Sequence, residues 1–352
     1  MKKNIFLLYT CFLVTALFIS EQLFPSTPKP IRPVILTLKK YPLSKKEIDF
    51  LKKVNPYGIL LFEYSFKAGL DPKLLKRKLQ LILQRKDLLF FIDQEGGSVN
   101  RLKSLLPHKK YPAPKTLGNF AKRDLAAAVE KSYQYGFEMG KDIRSQGFDV
   151  NFAPSAELCR EKNFLGDRCF SEDPQTTALL AASFAEGMAN AGIAPVYKHI
   201  PGIASGGTDP HNGHAIINRP LRQLQENELY AMKDAGKWDY MMIGHGIFQA
   251  IDEKRISTYS PAFYQFVRKY FSFDGLIITD ALNMKTALLP GKSRGEQMNL
   301  ALTAGADIVM PFFSSSLSFK NRWKEIKKIS PKQISAFNKK LENIKNKKRK
   351  AL

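Results

Sequence analysis

Residues 275–281 read GLIITDA, an unbroken run of apolar and β-branched side chains from Leu276 to Thr279 that is closed by Asp280. A strand with one face in water alternates polar and apolar residues; this one does not, so both of its faces are expected to be covered. The same texture recurs in RPVILTL (32–38), GILLF (58–62), LLFFID (88–93), DVNFAP (149–154), IAPVYKH (193–199), YMMIGHG (240–246) and ADIVMP (306–311), which makes eight runs. Helical patterns separate them. In DPQTTALLAASFAEGMANAG (173–192), Asp173 can cap, Pro174 takes the first helical position and Gly192 ends the helix. Apolar strands separated by helices imply a parallel sheet covered on both sides, and eight such units predict one α/β domain, a (β/α)8 barrel. A doubly wound open sheet is the alternative architecture.

A barrel collects its chemistry at the C-terminal ends of its strands. Polar residues fall there: Asp93 at the end of the third run, Lys198 and His199 at the fifth, His245 at the sixth and Asp280 at the seventh. After the fifth run comes YKHIPGIASGGTDPHNGH (197–214), with three of the chain's five histidines among glycines. Asp209 and His211 are two apart, close enough for the carboxylate to orient the imidazole as a general acid/base. Asp280 would then attack or stabilise a cationic centre. An acid/base on one side and a carboxylate on the other is the arrangement of retaining glycosidases. No metal-ligand spacing or phosphate-binding loop stands out, so neither metal nor cofactor is expected.

The chain has 352 residues and a formal charge of +23; from Lys320 onward there are 13 Lys/Arg against Glu325 and Glu342. The stretch 320–352 reads as a basic helix or tail, a solvated helix end or an arm suited to an acidic polymer or anionic lipid. No nucleic-acid motif accompanies the charge, so no nucleic-acid partner is expected. Residues 1–24 carry two lysines and then an apolar run from Ile5 to Ile19, which reads as an export signal or N-terminal membrane anchor. Export predicts a periplasmic or membrane-anchored enzyme, a cytoplasmic location being the alternative. Cys159 and Cys169 would then meet an oxidising compartment, where they can pair or stay free. The catalytic unit is bounded at 25–319, and a monomer is expected.

Four motifs together resemble those of bacterial β-N-acetylglucosaminidases of glycoside hydrolase family 3: DQEGGSVNRL (93–102), GDRCFSEDP (166–174), KHIPG with TDPH (198–202, 208–211) and GLIITDALNM (275–284). The resemblance runs from about residue 33 to 311. It implies that Asp280 is the nucleophile of a covalent glycosyl-enzyme, that His211 is the acid/base on a mobile loop with Asp209 as its partner, and that Asp93, Arg101, Arg168, Lys198 and His199 bind the N-acetylglucosamine unit. The implied substrate is a peptidoglycan fragment, GlcNAc β-linked to 1,6-anhydro-N-acetylmuramic acid with or without peptide. The sequence departs from the pattern at Ile203 and Ala204, at Pro210, at Ser98 and at Ala281. Too few residues follow the eighth run for the second α/β domain of some members. Other readings are a family-3 enzyme for another sugar, phosphorolysis, and a catalytically weak glycan-binding protein.

Overall fold

The computed structural model describes residues 29–39, 41–67, 69–160, 165–203 and 215–351. The expected export segment, 1–24, lies outside the described residues. The eight runs are eight strands: β1 (Arg32–Thr37), β2 (Pro56–Leu60), β3 (Leu89–Ile92), β4 (Val150–Asn151), β5 (Ala194–Ile200), β7 (Tyr240–Ile243), β9 (Leu276–Ala281) and β10 (Ile308–Met310). All pair in parallel, and the sheet closes in the order β1, β10, β9, β7, β5, β4, β3, β2. This is the predicted single (β/α)8 barrel, and it excludes the open doubly wound sheet.

Closure explains why the strands are apolar throughout. Ile35, Phe91, Val196, Met242, Ile278 and Ile308 point inward to one buried layer, while Val34, Phe90, Tyr197, Ile243, Ile277 and Val309 belong to a second layer under the surrounding helices. Burying one such side chain contributes about 1.5–3 kcal/mol, so alternation with polar residues would be costly on either face. The helix Pro174–Asn190 is built as its residues dictate: the Asp173 side chain accepts from the Thr176 N–H, Pro174 opens the helix, and Gly192 follows it at a positive φ of 82°.

Two features differ from expectation. β4 is shorter than DVNFAP because past Asn151 the Ala153 N–H turns back onto the Asn151 carbonyl at 2.8 Å instead of continuing the ladder, and Pro154 has no N–H to resume it. YMMIGHG splits after Ile243, and Gly246–Phe248 forms a separate strand, β8, that pairs in parallel with β6 (Ala215–Ile217) outside the barrel. The C-terminal stretch contains the expected basic helix, Pro331–Ala351, whose first half packs against the barrel while Lys345, Asn346 and Lys347 stay exposed. Phe337, Leu341 and Ile344, at i, i+4 and i+7, give it an apolar stripe among the lysines. Phe337 and Leu341 are buried in the inner barrel layer, and Phe337 meets Tyr57 edge-on at 5.3 Å between centroids. Lys340 donates to Asp307 at 2.8 Å and Lys345 to Asp87 at 3.1 Å, while Lys347 pairs with Asp274, so part of the basic charge is neutralised by aspartates near the starts of the strands. Among the described residues no helix is long and apolar enough to cross a membrane.

Candidate active site

The C-terminal rim surrounds a cavity of about 400 Å³, lined by Asp93, Arg101, Arg168, Lys198, His199 and Asp280, with Phe62, Phe152, Met242 and Phe312 as apolar walls. Six of the eight expected site residues are thus brought together from the ends of β3, β5 and β9 and from the loops after β3 and β4. Asp209 and His211, with Ala204 and Pro210, lie outside the described residues. Ile203 is described, and it lines the cavity.

The β3 side is a charge network. Lys198, buried at the end of β5, donates to Asp93 Oδ1 at 2.6 Å and also pairs with Glu95. Arg168 grips Glu95 with two parallel bonds, Nε to Oε2 and Nη2 to Oε1, each 2.9 Å; Arg101 Nη2 reaches Asp93 Oδ2 at 3.3 Å. Burial alone would raise the pKa of both carboxyls, but Lys198 and Arg168, joined at Asp93 by Arg101, outweigh it and hold Asp93 and Glu95 below the ordinary carboxylate range. Burial would weaken the Arg168 cation, and Glu95 more than offsets that.

The QEGG sequence after Asp93 builds the turn that makes this possible. The buried Gln94 side chain accepts from the Arg101 N–H (2.7 Å) and the Leu102 N–H (3.0 Å), folding the loop back so that Arg101 returns to the rim. Gly97, at φ 55°, leaves room for the Asp167 carboxylate, which a Cβ there would overlap. Asp167 in turn accepts from the Ser98 N–H at 2.9 Å and pairs with its hydroxyl, so Ser98 ties the Arg101 loop to the Arg168 loop. The Arg168 loop is also closed covalently, since Cys159 and Cys169 form a disulfide with an S–S distance of 2.07 Å.

Asp280 is held differently. Its Oδ1 accepts from the Ala281 N–H at 2.6 Å, and Oδ2 lies 3.8 Å from His199 Nε2. Burial would raise its pKa, yet the nearby His199 and His245, the Ala281 N–H and Lys198 bring it below the ordinary value, so the carboxylate is ionised at neutral pH. His199 is oriented from behind: Nδ1 is 2.6 Å from Oε1 of Glu157, a fully buried carboxylate. A bridge between Ser155 and Lys198, with the Ala156 N–H donating to the Lys198 carbonyl at 3.0 Å, carries Glu157 to that position.

Glu95 and Glu157 are the site residues that the strand-end criterion missed. Glu95 stands in the quoted DQEGG, three residues past β3, and could have been found as a carboxylate near two expected cations. Glu157 lies six residues past β4, and only tertiary contact brings it to His199. His245, expected on the rim, is buried away from the cavity; Nδ1 meets the Thr258 hydroxyl at 2.5 Å and Nε2 the Ala281 carbonyl at 3.1 Å. It fastens the exit of β7 to the end of β9, and burial lowers its pKa. Among the described residues no group of three or more His, Cys, Asp or Glu side chains is arranged to hold a metal ion.

The model of the glycosyl hydrolase family 3 N-terminal domain matches residues 35–348, nearly the whole described chain. The chain belongs to glycosyl hydrolase family 3. Among curated relatives of this family 3 enzyme, a β-hexosaminidase of Xylella fastidiosa strain M12 is 30% identical over 270 residues, covering 76% of this chain and 79% of the relative. A β-hexosaminidase of Tolumonas auensis is 29% identical over 283 residues, 79% and 82% of the two chains. The fold also matches a family 3 β-N-acetylglucosaminidase from Paenibacillus sp. FPU-7 (TM-score 0.75, 24% identity, 89% of this chain and 61% of that one) and NagZ from Neisseria gonorrhoeae (TM-score 0.72, 23% identity, 88% and 90%). The family 3 enzyme is a glycosidase acting on O-glycosyl bonds, of the β-hexosaminidase kind.

Proposed function

We propose that this hydrolase removes terminal, non-reducing, β-linked N-acetylglucosamine from peptidoglycan fragments, GlcNAc-anhydro-N-acetylmuramic acid with or without peptide, with retention of configuration. The observation that carries the reading is Asp280: an ionised carboxylate in a cavity of one-sugar size, with one oxygen fixed by a backbone N–H and the other turned toward the cavity's histidine. In the first step an Asp280 oxygen attacks the anomeric carbon while the bond to the leaving oxygen breaks, and His211, assisted by Asp209, delivers a proton to that oxygen. In the second, the same histidine takes a proton from water, water attacks the anomeric carbon, and the Asp280 ester bond breaks. Asp93, Arg101, Arg168, Lys198 and His199 grip hydroxyl and amide groups of the sugar, which fixes the anomeric carbon over the nucleophile.

The test is hydrolysis of 4-nitrophenyl N-acetyl-β-D-glucosaminide beside the corresponding glucoside. Release from the N-acetyl substrate alone, abolished in Asp280→Ala, supports the reading; release that survives the substitution overturns it. His211→Ala is expected to lose much more rate on the natural disaccharide than on the aryl glycoside, whose leaving group needs little protonation. Equal losses would remove His211 from the role of proton donor. The apolar segment after Lys2 and Lys3 supports export to the periplasm or anchoring at the inner membrane as a monomer. Recovery of the chain only in the soluble cytoplasmic fraction would refute that location.

A further inference from the structure

We propose that the buried Glu228 is a positioning residue for proton transfer: it fastens the two chain segments that flank Asp209 and His211 and links them to the loop that carries Arg168. This rests on the reading of His211 as acid/base given above. Glu228 opens the short helix Glu228–Ala231; its side chain is 1% exposed and does not line the catalytic cavity.

Three segments meet at that side chain. The outgoing flank is Gly202: a Cβ there would come within 3.0 Å of Glu228 Cγ and 3.1 Å of its Cβ, so the backbone packs directly on the stem of the carboxylate. Gly202 also donates its N–H to the His199 carbonyl at 2.7 Å, and the next residue, Ile203, lines the catalytic cavity. The returning flank is Arg219, whose Nη1 donates to Glu228 Oε1 at 3.1 Å. It follows β6, which is held in register on β8. The third segment is Arg160, whose Nη2 donates to the same Oε1 at 2.8 Å.

Asp209 and His211 stand between the first two flanks in the sequence, and Arg160 adjoins Cys159, whose disulfide partner Cys169 adjoins Arg168. One carboxylate oxygen thus joins the segment that returns from His211 to the loop that delivers the sugar grip.

Stability alone is a poor account of the trio. A buried carboxylate between two arginines loses its hydration, and apolar side chains of the same volume often give equal or greater stability; the best-attested use of such groups is to fix register. The register fixed here bears on one step. The acid must stand at the leaving oxygen while Arg168 and its neighbours hold the ring. Misplacing it costs rate where the leaving group needs a proton and little where it does not.

The test uses the full chain and two substrates that differ only in the leaving group, phenyl and 4-nitrophenyl N-acetyl-β-D-glucosaminide. Phenoxide departs slowly without protonation, whereas 4-nitrophenoxide departs readily. Glu228→Gln, which keeps the shape and removes the charge, is expected to lower kcat/KM about tenfold on the phenyl glycoside and less than about twofold on the nitrophenyl one. Arg219→Gln, at a partly exposed position, should show the same dependence on the leaving group. In the His211→Ala background Glu228→Gln should leave the ratio of the two rates unchanged. Equal losses on the two glycosides, or no loss on either, overturn the proposal, as does a further change of ratio once His211 is gone. Should Glu228→Gln fail to fold, Arg219→Gln decides by the same criterion. If His211→Ala itself fails to separate the two glycosides, the acid/base reading falls and takes this role with it, while hydrolysis that still requires Asp280 leaves the glycosidase reading standing.

Discussion

The two halves of the rim treat their charges in opposite ways. On the β3 side Asp93 and Glu95 each have cationic partners at hydrogen-bond distance, with Lys198 shared between them. On the β9 side, among the described residues, the Asp280 carboxylate has His199 at 3.8 Å and accepts a hydrogen bond from the backbone N–H of Ala281. The first half is a grip, in which saturated ion pairs hold geometry. The second keeps lone pairs for chemistry, since a carboxylate saturated by arginines would make a poor nucleophile. If this division is right, damage to the β9 side should abolish turnover without unfolding the protein, and damage to the β3 side should cost both stability and substrate affinity.

The largest effect is expected at Asp280. Replacing it with alanine should lower kcat by about 10⁴-fold, on the scale of removing a catalytic carboxylate, on good and poor leaving groups alike. Thermal unfolding of the variant should stay near wild type, because only one backbone bond is lost. A large drop in Tm with residual turnover would erase the distinction between the two halves.

Lys198→Met is the counterpart on the grip side. It leaves Asp93 and Glu95 facing each other with one cation fewer, and breaking a buried pair in this way costs about 3–5 kcal/mol. Stability measured by denaturant unfolding should fall by that order at pH 7, and KM should rise. The pH dependence carries a sign. Both carboxyls have folded pKa values below their unfolded ones, so their contribution is fully present above about pH 4–5 and is lost as pH falls through the depressed folded values. Below that window the wild type and the variant should converge in stability.

The same contrast explains what could be read in advance. Strand texture was enough for the barrel, because closure buries both faces of each strand and leaves an unbroken apolar signature. Strand-end polarity found Asp93, Lys198, His199 and Asp280, since in a parallel barrel every strand delivers its last residue to one rim. It failed for Glu95 and Glu157, which reach the rim through loops whose paths depend on Gln94, Gly97 and the bridge from Ser155 to Lys198. The basic C-terminal helix was expected, but its packing was not, because three apolar residues at helical spacing are hidden in a lysine-rich stretch whose charge dominates any composition window.

The disulfide should matter next. Cys159 and Cys169 close a loop of ten residues' separation that delivers Arg168 to Glu95. Replacing both with serine should lower stability by roughly 2–3 kcal/mol by chain-entropy reasoning. KM should rise more than kcat falls, because the loop bears a gripping residue and not the nucleophile. A variant with unchanged KM would show that Asp167, through Ser98, positions the loop without help.

The smallest expected effect is the most pointed, because it lies where the two halves meet. His199 has Glu157 on Nδ1 and Asp280 beyond Nε2, so a buried carboxylate on the grip side sets which face the ring presents to the reactive one. Glu157→Gln keeps the shape and removes the charge. A hydrogen bond to a charged group is worth about 1.5 kcal/mol, which corresponds to roughly a tenfold loss in kcat/KM. Glu157→Asp keeps the charge but shortens the reach, and should recover part of that loss only if the carboxylate acts through His199. The decisive control is the double variant with His199→Ala. If Glu157 works by orienting the imidazole, substituting it after the ring is gone should change kcat/KM little further. Additive losses would mean that Glu157 supports the β4 loop as a whole, and that the grip and the nucleophile are coupled through backbone packing.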